Sequence, residues 1–126
     1  MLSGCLKKIN QWINKYAHKQ HIADEDLIAA VNRAEQGLID ADLGGGVIKQ
    51  RIARKGQGKS GGYRSIVLLK KGDKAFFVYA FGKNERDNIS EEELAELKLS
   101  AKIMLNWTDE QIEAQIKNKT LWELKQ

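Results

Sequence analysis

The chain has 126 residues, 42% hydrophobic and 30% charged, proportions that suit one globular domain (1–126) better than two well-buried ones. No window holds the roughly 20 apolar residues of a membrane-spanning helix. No cleavable leader is recognisable and the one cysteine, Cys5, has no disulfide partner, so a cytoplasmic protein is expected.

Residues 5–20 place Leu6, Ile9, Ile13 and Tyr16 at spacings of three and four with Trp12 adjoining, which predicts a helix. A second helix follows Asp24, with Leu27, Ile28, Val31, Ala34 and Leu38 in phase and acidic residues in its first turn. Gly44-Gly45-Gly46 ends this helical part. Three strands are then expected, over 47–53, 64–69 and 75–81, the last two joined by a tight turn at Lys71-Gly72-Asp73. Ser90 with Glu93, and Thr108 with Gln111, read as capping boxes that open two further helices. Leu94, Leu97, Ala101, Met104 and Leu105 give the first its apolar face, and Ile112 and Ile116 the second. The order ααβββαα is an α+β fold, a small antiparallel sheet packed against N-terminal helices and followed by C-terminal ones.

The net charge of +4 is unevenly placed. Residues 45–71 hold eight basic side chains (Lys49, Arg51, Arg54, Lys55, Lys59, Arg64, Lys70, Lys71) and no acidic one, whereas the segments before and after are net −1 and −3. Such a block points to a phosphate-bearing partner. Gly56-Gln57-Gly58-Lys59-Ser60-Gly61 matches G-x-G-x-x-G, and Gly58-Lys59-Ser60 the end of a P-loop. Both motifs require a helix to follow, and here Gly62-Tyr63-Arg64 leads into a strand. The first P-loop glycine would also fall at Ala53. His18 and His21 are isolated, and the basic block has no carboxylates to hold catalytic metals, so neither a metal site nor a cofactor is expected.

RNA scission without metal needs a base for the 2′-hydroxyl, cations on the phosphorane and an acid for the leaving oxygen. Clustered lysines and arginines supply charge, and a lysine whose pKa is depressed by cationic neighbours can move the proton. Tyr63 can stack on a base or exchange a proton. In a strand Lys49 and Arg51 share one face, the glycine-rich segment lets backbone approach a phosphate, and Lys83 and Arg86 follow the third strand at the same end. The same cations equally describe a passive nucleic-acid surface.

At these residues the sequence resembles the RelE/ParE superfamily of bacterial toxins, in its RelE/HigB-like branch of type II toxin–antitoxin systems. The matching text is Gly44 to Arg51, Gly56-Gln57-Gly58-Lys59-Ser60-Gly61-Gly62-Tyr63-Arg64, and Phe77 through Gly82-Lys83-Asn84-Glu85 to Ile89. The resemblance implies a toxin neutralised by a cognate antitoxin, folded as a small antiparallel sheet with helices. It implies a metal-independent endoribonuclease cutting mRNA, commonly in the 30S A site of the ribosome. Arg64 corresponds to the arginine holding the scissile phosphate, Lys55 and Lys59 to the lysines before it, and Lys83 or Asn84 to the position after the third strand. The catalytic candidates are therefore Arg64, Lys59, Lys55, Lys83 and Tyr63, and the RNA-binding candidates Lys49, Arg51, Arg54, Asn84 and Arg86. A gyrase-poisoning, ParE-like toxin and a non-catalytic nucleic-acid-binding protein are the alternatives. Family members usually begin with a strand, but residues 2–6 read as a poor one, so the sheet is expected to be short or marginal at one edge. The segment from Thr108 to Gln126 extends past the shortest members, either packing on the core or meeting the antitoxin.

Overall fold

Asn10 divides the segment that periodicity reads as one helix. Its side-chain oxygen accepts the Ile13 N–H at 2.8 Å, so the helix (α1, Gln11–Gln20) begins only there and Leu6–Asn10 is a strand (β1). The computed structural model describes residues 5–53, 62–82 and 84–124. It continues with α2 (Asp24–Glu35), β2 (Ala41–Gly44), β3 (Val47–Ile52), β4 (Tyr63–Lys70) and β5 (Lys74–Gly82), then α3 (Glu91–Met104), α4 (Asp109–Lys117) and β6 (Leu121–Glu123). The three expected strands are present as β3, β4 and β5. Both capping boxes close: Ser90 Oγ accepts Glu93 N–H at 3.1 Å and Thr108 Oγ1 accepts Gln111 N–H at 3.2 Å.

Three strands depart from the sequence reading. β2 pairs with β3 across Gly44-Gly45-Gly46, whose φ values of +88°, +61° and +86° make the glycines a turn within the sheet rather than the end of a helical region. β6 has three residues, too few for a pattern. β1 disguises its alternation because an interior position holds lysine. Lys8 is 2% exposed, its ammonium 2.7 Å from the Glu123 carboxylate of β6. The expected weak edge is instead an interior strand, since the order is β2-β3-β4-β5-β1-β6. β1 runs parallel to β5, and the other neighbours are antiparallel. Leu38, expected on the second helix, lies beyond it and is exposed.

Helices cover both faces of this sheet. α1 and α2 bury Ile13, Ala17, Leu27 and Val31 with Ile9, Ile48, Val67 and Phe77. α3 and α4 bury Ala101 and Ile112 with Val47, Ile66, Leu68, Phe76 and Phe81. A bulge in β5 links the two arrangements. Val67 pairs with Phe77 and Ile66 with Tyr79, so Val78 is an extra residue and Val78 and Tyr79 both face the α3 side. Beyond the bulge Phe81, rather than Ala80, lies on the same face as Arg64.

Candidate nucleic-acid interface

The orientation of β3 is set by Gln50. Its side chain is buried, donates to the carbonyls of Ala30 (3.0 Å) and Leu38 (2.9 Å), and accepts from Asp40 N–H (3.0 Å). Ser65, buried beside it on β4, donates to the Gln50 carbonyl at 2.8 Å. With Ile48, Gln50 and Ile52 turned toward α2, strand alternation turns Lys49 and Arg51 to the opposite face. Beyond the end of β2, the edge of β3 is capped: Arg51 N–H donates to Asp40 Oδ2 at 2.6 Å and the Arg33 guanidinium donates to the Arg51 carbonyl at 2.5 Å.

Register then assembles the cations. Arg51 is the cross-strand partner of Arg64, and Arg64 of Phe81; in the adjacent row Lys49 pairs with Ile66 and Ile66 with Tyr79. Lys49, Arg51 and Arg64 therefore share one face. Among the described residues no carboxylate forms an ion pair with any of the three. Like charges directly opposite in a sheet repel, so Arg51 and Arg64, with Lys49 in the adjacent row, concentrate positive charge on this corner of the sheet.

Next to it, the turn that follows β5 is tied at both ends. Glu85 Oε1 accepts both the Tyr16 hydroxyl (2.6 Å) and the Gly82 N–H (2.8 Å). These bonds hold the Glu85 carboxyl below its ordinary range, the Tyr16 bond contributing most, while burial and then the Glu85 carboxylate push the Tyr16 phenol up. Gly82 cannot carry a side chain here without disturbance, because a Cβ would sit 2.9 Å from Asn84 Oδ1 and 3.1 Å from Glu85 Oε1. At the far end Arg86 forms a fork with Glu93, 3.1 and 2.6 Å, and donates through Nε to the Asn88 carbonyl at 2.7 Å. Its guanidinium lies over the rings of Tyr79 (5.7 Å) and Phe81 (5.8 Å). The Arg86 fork, followed by the Ser90 N–H, lowers the Glu93 carboxyl to about 2.

Aromatic side chains connect this turn to α1. β1 pairs with β5 only as far as Phe77, and past that point Asn10 Nδ2 donates to the Val78 carbonyl at 3.0 Å. Trp12, on the first turn of α1, packs on Tyr79 (4.6 Å) and stacks on Tyr16 (5.0 Å); it remains 42% exposed.

The sequence candidates are thus dispersed. Arg64, Arg51 and Lys49 converge. Asn84 is exposed on the adjacent turn, whereas Arg86 is held by Glu93. Tyr63 points to the other face: it is 6% exposed, packs edge-on against Tyr16 at 5.9 Å and donates its hydroxyl to Gln20 Oε1 at 3.0 Å. Arg54, Lys55, Lys59 and Lys83 lie outside the described residues. Sequence reasoning missed Glu85 and Glu93 as the acceptors that shape the turn. Glu93 had a visible signal, its capping-box position, because the oxygen that accepts the Ser90 N–H also meets Arg86. Burial, and then Glu35, push the Cys5 thiol up to about 12, which makes it a poor nucleophile. Among the described residues no three His, Cys, Asp or Glu side chains group as metal ligands, and no helix is long and apolar enough to cross a membrane.

The family model described as the RelE toxin of the RelE/RelB toxin–antitoxin system matches residues 7–124. No curated protein matches the chain.

Proposed function

Because the chain belongs to the RelE toxin family, we propose that it is a metal-independent endoribonuclease that cleaves mRNA on the ribosome, in the 30S A site, and is neutralised in the cytoplasm by a cognate antitoxin. The observation that carries this reading is the pairing of Arg51 with Arg64 on one sheet face, beside Lys49 and without a paired carboxylate among the described residues. Two guanidiniums on adjacent strands, about 5 Å apart at their Cβ atoms, suit the oxygens of a phosphodiester. Charge-assisted bonds from guanidinium to phosphate are short and strong.

In this reading Arg64 holds the scissile phosphate and stabilises the charge that builds on the phosphorane, while Arg51 and Lys49 grip the neighbouring backbone. The 2′-hydroxyl attacks in line, the 5′-oxygen leaves, and a 2′,3′-cyclic phosphate remains. Lys55, Lys59 and Lys83 are the candidates for proton transfer, and Arg54 and Asn84 for further RNA contact. Arg86 shapes the turn through Glu93, and Tyr63 supports the site from behind by holding α1 against the start of β4.

The test is induced expression followed by primer extension on cellular transcripts, with wild type and Arg64→Ala side by side. New mRNA 5′ ends with wild type alone are expected. Growth arrest without them overturns the nuclease reading, and DNA breakage with an SOS response favours a gyrase target.

A further inference from the structure

Helix α3 packs Leu94, Leu97, Ala101 and Met104 toward the sheet, yet two further large apolar side chains point outward, Leu99 at 65% exposure and Ile103 at 61%. They are not scattered. Ala95, Glu96, Leu99, Lys102 and Ile103 recur at the spacing of a single helical stripe, and all five are exposed. The charges on α3 are also sorted, with Glu91, Glu92, Glu93 and Glu96 in the first half and Lys98 and Lys102 in the second. That order suits the helix dipole, but the dipole gives no reason for apolar side chains between the charges.

We propose that this stripe is a self-complementary surface on which a second copy of the chain docks, with the two α3 helices antiparallel. When Leu99 of one copy meets Leu99 of the other, Ala95 faces Ile103 and Glu96 faces Lys102, each pair occurring twice about the two-fold axis. A small side chain then opposes a large one, opposite charges meet, and the helix dipoles run in opposite directions. A parallel arrangement would set glutamates against glutamates and lysines against lysines. Charge order therefore selects an antiparallel copy of the same helix over an arbitrary apolar partner. The 14 residues of α3 span about 21 Å, so the contact buries less than the roughly 800 Å² per partner of a standard interface and the dimer is a weak one. None of Lys49, Arg51 and Arg64 belongs to the stripe, so the inference stands independently of the nuclease reading.

Sedimentation equilibrium of the full chain over a concentration series tests this. Wild type is expected to associate reversibly to a dimer. Leu99→Glu, which places two carboxylates on the axis, is expected to weaken association by about tenfold or more with an unchanged circular dichroism spectrum. Glu96→Lys and Lys102→Glu should each weaken it, and the double exchange should restore it. A wild type that stays monomeric throughout overturns the proposal, as does a dimer indifferent to Leu99→Glu or a double exchange that recovers nothing. Loss of antitoxin binding by Leu99→Glu, with a monomeric wild type, would give the stripe to the antitoxin instead.

Discussion

Arg51 and Arg64 stand directly opposite each other on neighbouring antiparallel strands, and Phe81 continues the row. The two cations repel, so the free fold gains nothing from their pairing, whereas a bound phosphate would satisfy both. Arg64→Ala is therefore expected to leave stability within about 0.5 kcal/mol of wild type, or to raise it slightly. RNA cleavage should fall by roughly 10²- to 10³-fold, the usual effect of losing one preorganised donor to a developing charge. Thermal denaturation alongside a cleavage assay checks both, and a large loss of stability would make the residue structural.

Glu93 predicts an acid-sensitive turn. Its carboxyl lies at about 2 in the fold against an ordinary 4.5, chiefly because of Arg86, and Glu85 is lowered in the same direction by Tyr16. A depressed carboxyl contributes stability that is complete above the unfolded value and is lost as pH falls toward the folded one. Hydrogen exchange of the amides between Gly82 and Ser90 should therefore accelerate as pH drops from 4.5 toward 2, beyond the intrinsic pH trend of exchange. Glu93→Gln should show the faster exchange already at neutral pH and flatten the profile.

Lys8 depends on a single short strand. Its side chain is 3% exposed and its carboxylate partner Glu123, 58% exposed, belongs to three-residue β6. Removing one partner of a fully buried pair commonly costs about 3–5 kcal/mol; here only the lysine is buried, so Glu123→Ala is expected to cost about 1.5–3 kcal/mol, the range for a hydrogen bond to a charged group. Adding Lys8→Met should recover much of that loss, because the buried charge goes with it. Chemical denaturation of the single and double variants measures the difference.

Gly46 combines two constraints. Its φ is +86°, and a Cβ there would approach Leu105 Cδ1 to 2.7 Å, where the β2–β3 turn meets the end of α3. Gly46→Ala is expected to cost about 2 kcal/mol through the left-handed backbone and displacement of Leu105. Gly72→Ala shares the positive φ (+79°) with nothing within 4 Å, so it should cost only the backbone part. Urea midpoints of the two variants separate the contributions.

The local grammar of the chain was legible where short-range chemistry decides it. The capping boxes at Ser90 and Thr108, the turn at Gly72 and the three central strands need only a few neighbouring residues. So did the location of the charge, since a block of cations without acids is visible in any reading frame of structure. β1 was not legible: its interior lysine reads as a surface residue until Glu123, 115 positions away, supplies the counter-charge.

By itself the sequence determined which cations were available, the α+β order of most elements, and the family through its glycine-rich and Gly-Tyr-Arg motifs. Only the tertiary structure decided which of those cations share one face. Strand register brought Arg51 to Arg64, the β5 bulge turned Phe81 and Tyr79 to their face, and alternation sent the adjacent Tyr63 to the opposite one. Arg86, equally basic on paper, was claimed by Glu93, and Glu85 by Tyr16, 69 residues earlier. Charge is a property of composition, but whether a charge is free to hold a phosphate depends on partners that folding brings near.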